Sequence, residues 1–148
     1  MTDEITRKLC RYLRHRGHQF VIPNFYYGNW ECDVFSMTMS NYTNEYEIKI
    51  SKADFENDKY KSYRPYHGET QLKSVDTILG KRTSKMWYVF PMTLELDIPP
   101  YAGIIIYNRG QFKTIREAPF LHKRKVDMSN KLLYNIAVRC YDRFNSLR

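Results

Sequence analysis

Hydrophobic and polar positions change period along the chain, and the changes predict alternating helices and strands. Apolar residues run from Ile5 to Leu13 on one stripe of residues 3–16, while arginines and lysines occupy the rest, which is typical of an amphipathic helix. Gly17 is a natural end for that helix. Three strand-like segments follow, at residues 19–27, 30–39 and 44–50.

A capped helix and a polar segment come next. Ser51 and Asp54 have the spacing of a capping box, so we expect a helix from Ser51 to about Tyr63 that ends before Pro65. Residues 64–85 show no clear periodicity and predict a long loop that can carry a short helix. Apolar strands are then expected at 87–90 and 102–107, a tight turn leads into 111–115, and a last helix begins near Ser129.

The order of these elements predicts an α/β fold with a mixed sheet. It runs helix, three strands, helix, two or three strands, helix. The last helix should bury a stripe that includes Leu133, Ile136, Ala137 and Cys140. The length of 148 residues is that of one domain, and no repeat or linker divides the chain, so we expect a single domain over residues 1–148.

Composition is that of a folded chain rather than a disordered or membrane-spanning one. Hydrophobic residues make up 43% and charged residues 27%, and no apolar run approaches the ~18 residues of a membrane span. The start, from Met1 to Glu4, is acidic, whereas a secretory signal begins with basic residues. Three scattered cysteines favour neither a disulfide framework nor a zinc site. We therefore expect a soluble, cytoplasmic protein with no membrane partner.

The net charge of +8 leaves two interpretations open. Neutralising the phosphates of a polyanion releases counterions and drives binding, so an excess of lysine and arginine commonly indicates a nucleic-acid partner. A generic basic surface that keeps the protein soluble would have the same composition. Charge alone does not choose between them.

Two neighbouring strand segments carry acidic residues and a lysine that can meet. Residues two apart on a strand share a face, so Glu45, Glu47 and Lys49 lie together on the second segment. A hairpin centred near Asn41 puts Asp33 of the first segment opposite Lys49, and a centre one residue earlier puts Asp33 opposite Glu47. Facing side chains are roughly 5 Å apart in either register.

Such a group of side chains can serve metal-assisted hydrolysis of a phosphodiester. Two carboxylates at that separation repel each other unless a cation lies between them, and Mg²⁺ is usually held by one or two carboxylates with water and substrate phosphate. A lysine on the same face can orient a metal-bound water and offset charge that builds on the phosphate. The alternative is a solvated strand face whose side chains form cross-strand ion pairs.

On these residues the chain resembles the PD-(D/E)XK nuclease superfamily. Asp33 precedes Glu47-Ile48-Lys49 on consecutive strands, between an N-terminal helix and a second helix. The run 47–59, with its lysine and serine, its Asp-Phe pair and its Asp-Lys, is similar to the MmcB-type DNA repair proteins. The segments 87–91 and 98–105 also look like later strands of that group, so the resemblance covers roughly residues 4–117.

The resemblance implies a restriction-endonuclease-like core of αβββαββ order with a C-terminal helix, and DNA cleavage that depends on Mg²⁺ or Mn²⁺. Asp33, Glu47 and the backbone carbonyl of Ile48 would hold the metal, and Lys49 would act at the attacking water. Many members also place a glutamate on the first helix, and Glu4 fits that position, although a role at the helix N-terminus explains it equally. The sequence departs from the motif where a cysteine, at position 32, replaces its proline.

Further polar residues would contact the site residues and hold them in place. Asp54 also has a capping explanation, and Asp58 has a neighbouring lysine to pair with. The supporting set is Glu31, Ser51, Asp54 and Asp58.

Basic and aromatic residues gather in and around the expected loop, beside the site in sequence. Lysine and arginine bind phosphates, and tyrosine adds a hydroxyl for phosphate and a ring that stacks on an unpaired base. The alternative is a solvated loop with some rings packed inward. The residues expected to contact nucleic acid are Lys52, Lys59, Lys61, Tyr63, Arg64, Lys73, Lys81, Arg82 and Lys85.

Three hypotheses about function result. The first is a Mg²⁺-dependent endonuclease that acts on DNA in repair or processing, in the cytoplasm or at the nucleoid. The second is a non-catalytic nucleic-acid-binding module, or one subunit of a larger assembly, on the same scaffold. The third is an interaction protein whose charge is incidental. Because cutting both strands usually takes two active sites, a homodimer is compatible with the first.

Overall fold

The computed structural model describes residues 1–28, 30–58, 62–63, 71–127 and 130–146, which fold into helices around a mixed sheet. The helices are α1 (Thr2–His15), α2 (Lys52–Asn57), α3 (Lys73–Ile78) and α4 (Asn130–Ser146). The strands are β1 (Phe20–Tyr27), β2 (Trp30–Met37), β3 (Thr43–Ile48), β4 (Ser62–Tyr63), β5 (Gln71–Leu72), β6 (Lys85–Pro91), β7 (Ala102–Asn108) and β8 (Gln111–Arg116).

The main sheet has six strands in the order β1-β2-β3-β6-β7-β8. The β3–β6 and β6–β7 pairs are parallel, and the other neighbours are antiparallel. A parallel pair needs a connection that leaves the sheet and returns, and between β3 and β6 this connection contains α2, the short β4–β5 ribbon and α3. The predicted mixed α/β fold is confirmed. The short helix that segment 64–85 could carry is α3, and β4 and β5 are additions to the expected order.

One face of the sheet is apolar and is covered by α1. Ile5, Leu9 and Leu13 are buried in one cluster with side chains of the central strands, among them Val34 and Val89. Burying each such side chain stabilises the fold by about 1.5–3 kcal/mol. The amphipathic helix predicted over residues 3–16 is therefore confirmed.

The opposite face has two apolar clusters with a charged strip between them. One cluster joins β1 and β2 to α4 through residues such as Phe35 and Ile136. The other gathers β6, β7 and the connection between them around Tyr88. Between the two lies β3, whose Glu45 and Glu47 point to this face. The sheet thus carries buried charge between its two apolar clusters.

The last helix forms as predicted, but of the four residues named for its buried stripe the structure buries Ile136 alone. Ile136 is buried and Leu132, four residues earlier, packs against the same cluster. Leu133, Ala137 and Cys140 are exposed. Adjacent apolar residues at 132 and 133 offer two stripes about 100° apart on the helix, and the periodicity alone does not tell which one meets the sheet. Among the described residues, no helix is both long and apolar enough to cross a membrane.

The helix after β3 is shorter than predicted. The Ser51 hydroxyl accepts a hydrogen bond from the Asp54 N–H at 3.1 Å, which confirms the cap. The helix ends at Asn57, and Tyr63 belongs to the backbone of β4. None of the residues of α2 is fully buried, and Phe55 is the one that packs against the apolar cluster around Tyr88, so little burial supports a longer helix.

The β1–β2 hairpin is irregular at Asn24 and Asp33. Its pairing keeps one register on either side of these two residues, but Asn24 has a φ of 48°, in the left-handed region that asparagine adopts more readily than most residues. Cys32 and Phe35, three residues apart, pack in the same cluster, whereas a regular strand puts residues two apart on one face. The hairpin therefore changes faces at Asp33.

Candidate active site

Asp33 meets β3 where the β2–β3 pairing ends. The last described pair of that hairpin is Val34 opposite Tyr46. One step further in this register Asp33 stands opposite Glu47, which is the second of the two registers that the sequence left open. At this point Asp33 Oδ2 accepts a hydrogen bond from the Ile48 N–H at 2.8 Å. A side chain thus takes over from backbone pairing at the end of β3.

Glu45 and Glu47 are buried and share the ammonium of one lysine. Each of the two residues is 1% exposed. Lys73, the first residue of α3, forms an ion pair with Glu47 and another, at 3.3 Å, with Glu45. Arg82 pairs with Glu45 as well, and the Cys32 thiol donates to Glu45 Oε2 at 2.9 Å. The cations that compensate these carboxylates therefore come from the chain itself.

Burial and charge act against each other on these groups. Burial disfavours the ionised form of Glu45, but the attraction of Lys73 and Arg82 outweighs it and lowers the pKa of Glu45. Burial also opposes the charge of Lys73, yet the two nearby carboxylates raise its pKa. Burial and the adjacent Glu45 raise the pKa of the Cys32 thiol. At neutral pH the carboxylate of Glu45 and the ammonium of Lys73 are therefore charged, and the thiol is a neutral donor.

Lys49, just beyond β3, links these carboxylates to α2. Its Nζ is 2.7 Å from Asp58 Oδ1, 3.7 Å from Glu47 Oε2 and 3.9 Å from Asp54 Oδ1. The lysine is 3% exposed. The Tyr88 hydroxyl donates to the other oxygen of Asp58 at 3.3 Å, so the partner of Lys49 is itself held. The structure therefore joins predicted site residues from β3 and α2 in one network.

A pocket of about 290 Å³ opens beside the network. Asp58 and Lys73 line it together with the rings of Phe55, Tyr88 and Tyr101. Burial is the main cause that raises the pKa of both tyrosines, so their hydroxyls stay protonated and can donate hydrogen bonds. The pocket presents a carboxylate, an ammonium and phenol groups to whatever enters it.

Glu4 lies apart from this network. Its carboxylate accepts hydrogen bonds from Lys8 at 2.8 Å and from the Tyr107 hydroxyl at 3.1 Å. These two hydrogen bonds lower the pKa of Glu4. Tyr107 packs on the α1 side of the sheet, whereas Glu47 points to the opposite side. The structure thus corrects the expectation that Glu4 joins the carboxylates, because α1 carries it along the other face.

Two residues predicted to contact nucleic acid have structural roles. Lys73 and Arg82 are each 5% exposed and both pair with Glu45. The expected loop contains α3, which brings Lys73 to the buried carboxylates, and Arg82 reaches them from the turn before β6. The structure corrects the prediction for these two residues, since Glu45 holds both of them away from the outer surface, where Lys73 lines only the pocket beside Asp58.

The other predicted residues are dispersed. Lys52 and Lys81 are exposed, and Lys85 is partly exposed with its ammonium 3.1 Å from Glu117. Glu31 is exposed on β2. Lys59, Lys61 and Arg64 lie outside the described residues, as does the side chain of Tyr63.

Sequence reasoning missed the participation of Glu45 and Tyr88. Glu45 had a usable signal, because it alternates with apolar residues and shares a strand face with Glu47. Tyr88 gave none, since its contact joins it to Asp58, 30 positions away in the chain. The pairing of Lys73 with Glu47 spans 26 positions and likewise has no local pattern.

The carboxylates at the end of β3 are candidate ligands for a metal ion that needs few protein ligands. Within the described residues, no group of three or more His, Cys, Asp and Glu side chains is arranged to hold a metal ion. Mg²⁺, however, commonly takes one or two carboxylates and completes its shell with water and phosphate oxygens. Asp33, which accepts from the Ile48 N–H, and Glu47 are the candidate ligands for such an ion. A metal at Glu47 would compete with the ammonium of Lys73.

Comparison with known proteins identifies a related fold. No family model matches the chain, and no curated protein matches it. A solved structure, the SPO1766 protein of unknown function from Silicibacter pomeroyi, has a TM-score of 0.68 and is 19% identical, over 97% of this chain and 88% of that one. At this identity the likeness concerns the fold alone, a mixed sheet with flanking helices.

Proposed function

We propose that this protein is a metal-dependent nuclease that hydrolyses phosphodiester bonds in DNA, on a restriction-endonuclease-like scaffold of the PD-(D/E)XK kind. The observation that carries the proposal is the hydrogen bond from the Ile48 N–H to Asp33, which sets this carboxylate beside the strand end that bears Glu47 and Lys49. Two carboxylates, a backbone carbonyl and a lysine are concentrated there. The net charge of +8 supports a polyanionic substrate.

Asp33, Glu47 and the carbonyl of Ile48 are the groups that would hold Mg²⁺ or Mn²⁺. When bound, the metal supplies an activated water and neutralises charge on the phosphate. Lys49 contributes a fixed positive charge, since its ammonium is held between Asp58 and Glu47. From there it can donate a hydrogen bond to the attacking water or to a phosphate oxygen, whose negative charge grows in the transition state.

We further propose that the enzyme works in the cytoplasm, in DNA repair or processing. The proposal assigns one such site to the described part of the chain. Cutting both strands of a duplex would therefore call for a homodimer or for a partner subunit with a second site.

Cleavage of supercoiled, linear and branched DNA with Mg²⁺ or Mn²⁺ tests the proposal. Asp33→Asn keeps an oxygen for the Ile48 N–H but removes the charge, and we expect the rate to fall at least about 100-fold. Asp3→Asn, the same chemical change at an exposed position on α1, is the matched control and should cut like the unaltered protein. Equal rates for the two variants, or no metal-dependent cleavage of any substrate, would refute a nuclease site at Asp33.

Thermal unfolding with added Mn²⁺ gives a second measurement that needs no DNA. A ligand that binds only the folded state raises the unfolding temperature, so the unaltered protein should gain stability as Mn²⁺ increases. Asp33→Asn and Glu47→Gln should gain less. An equal gain in all three proteins would place the metal elsewhere.

A second function is favoured by the ion pair between Lys73 and Glu47. If that pair is permanent, the scaffold is a nucleic-acid-binding module without catalysis. DNA binding that weakens with salt and survives Glu47→Gln, in the absence of cleavage, would identify this case.

A further inference from the structure

We infer that a separate binding site for single-stranded nucleic acid lies on the α1 face of the sheet, opposite the carboxylates. It consists of aromatic rings interleaved with lysines, none of which the proposed catalytic site uses. We call it the cation–aromatic groove and define it by Tyr12, Tyr42, Lys85, Phe120, Lys123 and Lys125. The inference shares with the proposed function only the nature of the ligand, and it requires neither metal nor cleavage.

The rings and cations of the groove adjoin one another. Tyr42 and Phe120 meet edge to face, with 5.1 Å between the ring centroids. Lys85 Nζ is 4.6 Å and Lys123 Nζ 5.5 Å from the centroid of Phe120. Lys125 Nζ is 5.7 Å from that of Tyr42. Ammonium groups thus lie over both rings, in cation–π contact with them.

The groove is a surface concavity on the α1 side. A cavity of about 200 Å³ is lined by Tyr12, Tyr42, Lys85 and Phe120, and Trp87 lies at its floor. The indole N–H of Trp87 donates to a buried asparagine at 3.0 Å, so the floor is fixed. Trp87 shares one apolar cluster with α1, which places the groove on the face that Glu47 does not share.

Exposure shows that the groove is open to a ligand. Phe120 is 42% exposed, and it follows β8 in a segment without regular structure. Lys123 and Lys125 are exposed as well. A large ring held in solvent between ammonium groups gains little for folding, because its burial is incomplete. A planar base would take the place of a lysine over this ring, and the displaced ammonium would then be free to pair with a phosphate of the same strand.

The chemistry of the groove fits a single strand better than a duplex. Proteins that bind single strands stack unpaired bases on aromatic rings and neutralise the phosphates between them with cations. In a duplex the bases stack on each other, so exposed rings would add nothing. Glu117 is the acidic residue that lines the cavity, and it pairs with Lys85 at 3.1 Å. DNA and RNA share this chemistry, and the experiment distinguishes them.

Fluorescence anisotropy with labelled oligo-dT, oligo-rU and a duplex of equal length tests the inference in EDTA, where no metal-dependent cleavage occurs. We expect both single strands, or one of them, to bind more tightly than the duplex. Phe120→Ala should weaken single-strand binding about tenfold, since stacking contributes roughly 1–3 kcal/mol per base. Tyr134→Ala, an exposed tyrosine on α4, is the matched control and should bind normally.

The lysines are tested through salt. The double variant Lys123→Gln, Lys125→Gln should lower the slope of log affinity against log salt by about 1.4, because each single-strand phosphate contact contributes about 0.7. Arg7→Gln with Lys113→Gln is an equal change of charge at exposed sites that line neither the groove nor the pocket beside Asp58, and it should leave the affinity for oligo-dT close to normal.

Three results would overturn the inference. They are tighter binding of the duplex than of either single strand, normal single-strand binding by both groove variants, and no single-strand binding at low salt. Failure of the proposed nuclease would show differently, as loss of cleavage or of the Mn²⁺ response with single-strand binding intact.

Discussion

The two faces of β3 are buried to the same degree but are stabilised in opposite ways. Tyr46 and Ile48 are 2% and 3% exposed within the apolar cluster under α1. Glu45 and Glu47 are each 1% exposed on the other face, among charged side chains. Removing apolar surface from water stabilises the first face. On the second face, taking charge out of water costs free energy, and the ion pairs offset that cost.

Equal burial of the two faces therefore does not imply equal contributions to stability. Replacing a buried ion pair by apolar side chains of similar volume is often neutral or even stabilising, so the burial of Glu45 and Glu47 is weak evidence that they stabilise the fold. A face that carries such a cost is better explained by chemistry, in agreement with the proposed function. The apolar face needs no such explanation.

The largest effect is expected from removing the shared cation. Lys73→Met leaves Glu45 and Glu47 buried beside one counter-ion fewer, and we expect a loss of about 3–5 kcal/mol in the free energy of unfolding, measured with urea. Lys81→Met, an exposed change of the same kind, should alter stability by no more than about 0.5 kcal/mol. Equal stability of the two variants would show that the charged face does not depend on Lys73.

A smaller loss, about 3 kcal/mol in the free energy of unfolding, is expected from Leu9→Ala on the apolar face, where the truncation leaves a cavity.

The pH dependence of the stability loss should differ between the charged and the apolar face. The lowered pKa of Glu45 gives stability that is present above the ordinary carboxyl pKa and is lost as pH falls through the lowered value. The deficit of Lys73→Met should therefore shrink in acid, whereas that of Leu9→Ala should stay constant. If both deficits changed with pH in the same way, the pH dependence would not come from the ion pairs of the charged face.

The smallest effect concerns a titratable group on the apolar face. Burial, and then the nearby Arg16, lower the pKa of His18, whose Nδ1 is 2.8 Å from the Ser36 hydroxyl. The unfolded chain then binds the proton more readily, so stability should decline as pH falls below about 6.5 and level off below the lowered pKa. His18→Gln should flatten this part of a melting-temperature profile. If the melting temperature of the variant declined in acid as it does in the unaltered protein, groups other than His18 would cause the decline.

Most of the fold could be predicted because its signals are local. The stripe of α1, the alternation of β3 and the cap at Ser51 are each contained in a few consecutive residues, and each forms as the pattern indicates. The end of α2 and the orientation of α4 could not be predicted, because they depend on which apolar surface is available elsewhere. That surface is a property of the assembled sheet.

The candidate site likewise contains some residues that local patterns predict and others that they do not. Asp33, Glu47 and Lys49 were found from strand alternation and hairpin register, which are short-range rules. Lys73 and Arg82 were predicted to contact nucleic acid because they are charged residues in a polar segment. Their burial beside Glu45 depends on a crossover connection, whose path no local pattern describes.

The left-handed conformation of Asn24 has a consequence for how this chain can vary. It lies across the hairpin from Asp33, where the ribbon changes faces, so the aim of that carboxylate depends on a residue nine positions earlier. Few amino acids accept this backbone geometry. We therefore expect homologous chains to preserve both position 24 and position 33 or to change both. An alignment that compared the acidic positions alone would miss this link.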